Sequence, residues 1–332
     1  MVNQLRVGIV GAGLMGHWHA RYAQRCGAKI VAVTDPAQIN LKRFLDRFPS
    51  ATAFSTFQQS LSESILDVVH VCSPAGTHFD ITLGALNSKL SVLCEKPFCQ
   101  NEREAKKLLE IAKNASVTLA PVHQLANQSG FNTLLNRMER IGELVMVSHL
   151  ICSHGAEGKT TAERKKILLE ILPHSAYLLF RFLGSAEPID ALQVVRFTDD
   201  ALTLNCHFNG NLVNVEISLK GRPARNEFVV IGSKGSATVD LFHGFLRFEN
   251  QEDGKAGKLL RPFVNSSSTF VNAFANLAVR AARRESAFPG LLNTIDQFYN
   301  AVQLQTSTVE DEEILCTSRL YERISESLQH FN

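Results

Sequence analysis

The sequence lacks several features that mark particular classes of protein. It has no basic block: the net charge is only +2, and the lysines and arginines are scattered along the chain. A nucleic-acid-binding surface normally needs a cluster of such residues. No apolar run approaches the roughly 18 residues that a membrane-spanning helix requires. The first apolar run is broken by glycines, unlike a secretory signal peptide. We therefore expect no nucleic-acid partner and no membrane association.

Cysteine is present, but not in the patterns that hold metals or disulfides. The seven cysteines include no Cys-x-x-Cys pair, and their number is odd. Reduced thiols in a cytoplasmic protein are the expectation that follows. His149, His154 and His207 show no ligand-like spacing with cysteines or carboxylates, and we expect no metal site.

A glycine-rich stretch close to the start of the sequence is its most informative part. The apolar residues 7–10 lead into a cluster with the spacing G-x-G-x-x-G, and a helix-like segment follows without a breaker. Strand, glycines and helix in this order form the fingerprint of a dinucleotide-binding site, in which the helix N-terminus attracts the phosphates. The predicted cofactor-binding residues here are Gly11, Gly13, Leu14, Met15 and Gly16.

An acidic residue ends the next predicted strand. Residues 29–34 form that strand and Asp35 follows it, about twenty residues past the glycines, where a carboxylate accepts hydrogen bonds from the ribose hydroxyls of NAD. A 2′-phosphate would bring further negative charge to the same place. We therefore predict NAD as cofactor, preferred over NADP. An ordinary glycine turn with an unrelated surface aspartate is the alternative reading of the same spacing.

The pattern of the chain changes near residue 124. Up to residue 123, continuous apolar strands alternate with helices, which predicts a Rossmann-type doubly wound parallel sheet. From residue 124 to 332, strands such as 202–208 and 213–219 alternate apolar and polar residues, which predicts an α+β domain with an open, mostly antiparallel sheet covered on one face by helices. We further expect helices over 127–141, 269–284 and 309–328, and an exposed loop over 250–268.

Three further motifs, in this order after the glycines, make the whole chain resemble the Gfo/Idh/MocA oxidoreductases, the family of glucose-fructose oxidoreductase and inositol dehydrogenase. The first, Ser73-Pro74-Ala75-Gly76-Thr77-His78, resembles the family's Ser/Thr-Pro-x-x-x-His. The second, Glu95-Lys96-Pro97, is similar to its Glu-Lys-Pro signature. The third, Glu170-Ile171-Leu172-Pro173-His174, resembles its acid-x-x-x-His pair.

The resemblance implies hydride transfer between a nicotinamide nucleotide and a carbinol or ketone of a sugar, nucleotide sugar or cyclitol. It implies that Glu95 lies near the nicotinamide ribose and Lys96 near substrate and cofactor, with a Lys96–Pro97 bond that can be cis. It also implies a homodimer or homotetramer, formed by sheets that pair face to face. The site residues then comprise Ser73, Pro74, His78, Glu95 and Lys96 for the cofactor, Lys96, His174 and Glu170 for catalysis, and His123 and Gln124 for the substrate.

Several of these residues have a plainer reading. Lys96 could be a solvated loop lysine, His78 could serve only to order its loop, and His174 could be a structural histidine. His17 and His19 are interpreted as structural or surface residues of the first helix.

Two departures from the family pattern bear on the substrate. Glu170 stands where the family usually has Asp, and Ala126 stands where it often has Arg. The lost arginine argues against an anionic substrate group at that point. Two other functions stay open: a glycosidase that uses tightly held NAD for transient oxidation, and a nucleotide-binding sensor without catalytic activity.

Overall fold

The computed structural model describes residues 4–250 and 254–329. The chain forms two compact units: Met1–His123 with Leu291–Glu322, and Gln124–Gly290 with Arg323–Asn332. Within the described residues, no helix is both long enough and apolar enough to cross a membrane.

The first unit is built around a six-stranded parallel sheet with the order β3-β2-β1-β4-β5-β6. The predicted doubly wound sheet is thereby confirmed, and it follows from strands that are buried along their whole length, such as β4 and β5. The strands are β1 (Arg6–Val10), β2 (Lys29–Thr34), β3 (Thr52–Phe54), β4 (Val68–Val71), β5 (Ser91–Cys94) and β6 (Leu119–Pro121). The helices are α1 (Leu14–Arg25), α2 (Gln38–Leu45), α3 (Phe57–Glu63), α4 (His78–Asn87) and α5 (Glu102–Ala115).

The strand order places a topological switch beside β1. This strand pairs in parallel with β2 on one side and with β4 on the other. In open sheets of this kind, ligands bind outside the carboxyl ends of the strands at such a switch. The segments that follow β1, β2, β4, β5 and β6 therefore all emerge at one edge of the sheet.

The second unit contains a seven-stranded sheet with the order β13-β12-β11-β7-β10-β9-β8. Neighbouring strands are antiparallel except for the β7–β10 pair, which confirms the predicted mostly antiparallel sheet. In β10, Val213, Val215 and Ile217 are buried while the residues between them are not, as period-two strands require. The strands are β7 (Leu144–Cys152), β8 (Gln193–Thr198), β9 (Ala201–Phe208), β10 (Asn211–Ser218), β11 (Arg225–Gly232), β12 (Gly235–Asp240) and β13 (Phe245–Asn250).

One helix prediction and one loop prediction for this unit need correction. The predicted helix over 127–141 is interrupted, because only α6 is α-helical and short 3₁₀ turns flank it at 124–127 and 138–140. The loop predicted over 250–268 is wrong: α9 covers most of it, and residues 251–253 lie outside the described residues. Apolar residues recur there at helical spacing among the Gly, Lys, Asn and Ser residues. The helices are α6 (Ser129–Leu135), α7 (Thr161–Leu183), α8 (Glu187–Ala191) and α9 (Gly254–Ala282).

The chain then returns to the first unit through α10 (Leu291–Leu304) and most of α11 (Asp311–Gln329). Helix α10 packs on α1 and buries Ile295, Phe298 and Tyr299. The sequence prediction divides the chain once, at residue 124, and so does not include this return. The return depends on burial of the apolar face of α10 against the first unit, which the sequence alone does not show.

Candidate active site

The glycine turn between β1 and α1 has the geometry of a phosphate cradle. Gly11 has a φ of +100°, and a Cβ there would lie 2.6 Å from the backbone of Cys72. A Cβ on Gly16 would lie 1.9 Å from the Gly11 carbonyl oxygen, so the helix can approach the turn only without a side chain. At Gly13, in contrast, a Cβ would meet no atom within 4 Å. The open position directly before the α1 N-terminus fits the pyrophosphate of a dinucleotide.

Asp35 follows β2, and its carboxylate is hydrogen-bonded both to the glycine turn and to the turn that precedes α2. Its Oδ2 accepts a 2.9 Å hydrogen bond from the Ala12 N–H, and its Oδ1 accepts bonds from the Ala37 N–H at 2.9 Å and from Asn40 Nδ2 at 3.1 Å. A carboxylate offers about four acceptor positions, so these three bonds leave capacity for a ribose hydroxyl. The residues present therefore fit an adenosine ribose at this position.

His78 connects the segments that follow β4 and β5. Its Nδ1 lies 2.8 Å from the Pro97 carbonyl oxygen and its Nε2 lies 2.7 Å from the Ser73 carbonyl oxygen. Carbonyl oxygens only accept hydrogen bonds, so both ring nitrogens must carry a proton and the ring is an imidazolium. Burial opposes this charge, but Cys94 and the two carbonyl groups favour it more strongly, and the pKa of His78 is raised to about 9.

This imidazolium makes a pH-dependent contribution to stability. A histidine pKa that rises on folding from 6.5 to about 9 stabilises the folded state, and this contribution is fully present below pH 6.5. The contribution falls as pH rises from about 6.5 and is lost above about 9. We expect His78→Gln to lower the free energy of unfolding strongly at pH 6 and much less at pH 9.5, as measured by urea denaturation. An equal loss at the two pH values would contradict a charged ring.

Glu95 lies at the end of a buried chain of hydrogen bonds. Its Oε1 is 3.1 Å from His19 Nε2, His19 Nδ1 is 3.0 Å from His70 Nδ1, and His70 Nε2 is 3.0 Å from the Tyr299 hydroxyl. We call these four residues the Glu95 relay. Its members come from α1, β4, α10 and the segment after β5, so it links the sheet to helices on its surface.

The Glu95 carboxylate is the acceptor at one end of the relay. Burial opposes the charge of Glu95, but the His19 hydrogen bond and the Lys96 ammonium lower its pKa, so the carboxylate accepts from His19. Burial lowers the pKa of His70 well below its usual value and raises that of Tyr299, which keeps both neutral. One arrangement that satisfies every bond has Tyr299 donate to His70, His70 to His19, and His19 to Glu95.

The Glu-Lys-Pro segment places Lys96 beside His123. The Lys96–Pro97 bond is cis, and Glu95 Oε2 accepts a 3.2 Å hydrogen bond from the Lys96 backbone N–H. Burial, with the nearby Lys96 ammonium, lowers the pKa of His123 to about 3. His123 is therefore uncharged at any physiological pH and presents a polar but neutral ring.

The second unit carries the other predicted catalytic residues on α7. This helix begins with a capping box of Thr160 and Glu163 and continues through Pro173. Glu170 and His174 are four residues apart within it and therefore share one face. Lys166 Nζ lies 3.8 Å from Glu170 Oε1, which gives the carboxylate a cation on the same helix.

The structure thus gathers most predicted site residues, but not all, in one unit. One edge of the parallel sheet holds Gly11, Gly13, Leu14, Met15, Gly16, Asp35, Ser73, Pro74, His78, Glu95, Lys96 and His123. The second unit holds Gln124, Glu170 and His174. Sequence reasoning missed the link from His19 and His70 to Glu95. The one available signal was a histidine inside the apolar strand β4.

Comparison with known proteins agrees with this geometry. Residues 5–123 match the Gfo/Idh/MocA family profile, described as an oxidoreductase family with an NAD-binding Rossmann fold. The inositol 2-dehydrogenase of Mycolicibacterium gilvum (strain PYR-GCK) is 25% identical over 280 residues, which cover 79% of this chain and 78% of that protein. The match to the inositol 2-dehydrogenase of Corynebacterium glutamicum (strain R) covers only 46% of that protein.

Solved structures with the same fold cover almost the whole chain. A levoglucosan dehydrogenase in complex with NADH and levoglucosan superposes with a TM-score of 0.79 at 14% identity, covering 99% of this chain and 98% of that one. The myo-inositol 2-dehydrogenase of Lactobacillus plantarum gives a TM-score of 0.75 at 14% identity, with coverage of 99% and 98%. At these identities the likeness concerns the fold.

Proposed function

We propose that this chain, which belongs to the Gfo/Idh/MocA oxidoreductase family, is a dehydrogenase that interconverts a carbinol and a ketone of a sugar or cyclitol with NAD. The observation that carries the proposal is the edge of the parallel sheet, where the open position at Gly13, the Asp35 carboxylate and Lys96 follow strands of one sheet. A nucleotide site needs the first two of these features. The lysine adds a group that can exchange a proton.

The chemistry of the predicted substrate contacts favours an uncharged polyol. His123 is neutral, and Ala126 stands where the family often has a cation. The Gln124 Oε1 atom is buried without a hydrogen-bond partner among the described residues, and it can accept a bond from a substrate hydroxyl. Relatives of this chain are named inositol 2-dehydrogenases, and inositol is an uncharged polyol. This supports a cyclitol or a neutral sugar as the substrate of this chain.

Each proposed catalytic residue has a distinct task. When bound, NAD supplies the acceptor for the hydride of the carbinol carbon. Lys96, in its neutral amine form, takes the proton of the reacting hydroxyl, and the ammonium so formed stabilises the negative charge that develops on that oxygen. His174 orients a substrate hydroxyl and relays the proton, while Glu170 on the same helix face orients His174. In the direction of ketone reduction, the same groups return the proton.

The proposal is tested by incubating the protein with NAD and a panel of cyclitols, sugars and nucleotide sugars. We expect absorbance of NADH to appear in stoichiometric amount with a ketone product from a neutral polyol. Gly13→Ala is a suitable control, because its backbone is extended and a methyl group meets no protein atom. That variant should fold but bind NAD about tenfold or more weakly, a loss of about 1.4 kcal/mol.

Two results would contradict the proposal. Cleavage of a glycoside without net NADH would assign the chain to the glycosidases that use transient oxidation. Tight NAD binding without turnover on any member of the panel would favour the nucleotide-binding sensor.

A further inference from the structure

Helix α9 is amphipathic, but its polar side faces the protein. Asn265, Ser268, Asn272, Asn276 and Arg280 recur at helical spacing and are partly buried. Asn276 Nδ2 donates a 2.8 Å hydrogen bond to the His243 carbonyl oxygen, and Arg280 Nη1 donates one of 2.9 Å to the same atom. The inward side of α9 is therefore held by polar contacts with the turn before β13.

The outward side of α9 is apolar. Eight large apolar side chains on it are 53–75% exposed, an arrangement opposite to that of an ordinary surface helix. They are Leu259, Leu260, Phe263, Val264, Phe270, Val271, Phe274 and Leu277. Contiguous exposed apolar surface of this kind marks an interaction site. We call these eight residues the outer face of α9.

The outer face of α9 has a mirror arrangement about Ser267. Counted from this small residue, Val264 mirrors Phe270, Phe263 mirrors Val271, and Leu260 mirrors Phe274. At about 100° per residue, all six lie within about 60° of the direction of Ser267. An apolar stripe that reads the same in both directions is self-complementary when two helices run antiparallel. This is the property of an isologous two-fold interface.

The size of the outer face fits a stable contact between two copies. An aromatic side chain presents about 150–250 Å², so the three phenylalanines, at 65–71% exposure, contribute about 300–500 Å². With the five aliphatic side chains, the face reaches the order of the 800 Å² that each partner buries in a standard interface. It also exceeds what one molecule ordinarily leaves in contact with water.

We propose that α9 pairs antiparallel with α9 of a second copy of this chain, with the two-fold axis at Ser267. The small serine lets the helices approach at the axis, and each phenylalanine then meets an aliphatic side chain of the second copy. A lipid surface would also cover apolar residues, but nothing about it requires a mirror arrangement. The second copy is therefore the occupant that the outer face of α9 fits.

The first test is the mass of the assembly in solution. Phe263→Glu is fully compatible with folding because this side chain is 71% exposed. We expect it to halve the mass measured by sedimentation at micromolar concentration, whether α9 joins two monomers or two dimers. Ile65→Glu, which changes an equally exposed residue far from α9 in the sequence (72%), should leave the mass unchanged.

The second test locates the axis. Ser267→Cys should form a covalent dimer rapidly under mild oxidation, because the axis brings the two thiols together. Ser266→Cys is the matched control, since its exposed side chain points about 100° away around the helix. Unmodified protein, treated in parallel, accounts for the native cysteines.

Three outcomes would overturn the proposal. The first is a monomeric protein, including one that co-sediments with anionic phospholipid vesicles through α9. The second is a mass that Phe263→Glu leaves unchanged. The third is equal cross-linking at positions 266 and 267, which would place the axis elsewhere.

Discussion

Replacing Lys96 by methionine, or His174 by alanine, is expected to lower kcat by about a hundredfold or more while NAD still binds. Positioned proton transfer contributes about 10²- to 10⁴-fold to the rate, and neither replacement can exchange a proton. Methionine keeps the length of the lysine side chain, so the effect reports the loss of the amino group that exchanges the proton. Because the glycine cradle and Asp35 are untouched, NAD affinity should fall much less than kcat.

Steady-state kinetics with the polyol identified from the panel, together with NAD titration, measure the two effects separately. Lys113→Met and His154→Ala are matched controls, because they remove the same groups from exposed positions. The double variant Lys96→Met with His174→Ala is informative as well. If the two side chains act as a unit, it should be little slower than either single variant. Near wild-type turnover in both single variants would show that the assignment is wrong.

NADP is expected to bind up to about a thousandfold more weakly than NAD. The reason is Asp35, whose carboxylate would face the added 2′-phosphate. Two unit charges about 4 Å apart, at an effective dielectric constant of about 20, repel each other by about 4 kcal/mol. Lys42 and Arg43 on α2 supply positive charge farther along the chain and reduce the difference.

Titration of the two nucleotides against the wild type and two Asp35 variants measures this preference. Asp35→Asn keeps an oxygen that can accept from the Ala12 N–H, whereas Asp35→Ser has a shorter side chain. The difference in affinity between NAD and NADP should narrow in both variants. Because only Asp35→Asn keeps an acceptor of similar length for the Ala12 N–H, agreement between the two variants would assign the effect to the lost charge and not to a change in the loop. Tighter binding of NADP than of NAD by the wild type would refute the prediction.

Five of the six strands of the parallel sheet are predictable from sequence, because each is a short apolar run that ends in a residue with recognisable chemistry. The sixth, β3, has only three residues and no such run. Gly13 and Asp35 are also predictable, because their roles depend on local spacing. The Glu95 relay was not predictable, since Tyr299 reaches His70 from 229 residues away. The part of α9 up to residue 268 is predicted as a loop, although residues 269–284 are predicted as a helix. Its apolar side faces outward and its Ser- and Asn-rich side faces the protein, so its composition resembles that of an exposed segment.

The return of α10 to the first unit has a consequence for synthesis of the protein on the ribosome. The strands of the parallel sheet are all translated by residue 121, but Tyr299 and the rest of α10 follow only after residues 124–290. At about 5–20 residues per second, that delay is roughly ten to thirty seconds. Until α10 arrives, the nascent sheet exposes the apolar surface of α1 and leaves His70 without its tyrosine. The first domain to be translated is thus among the last parts of the protein to be completed.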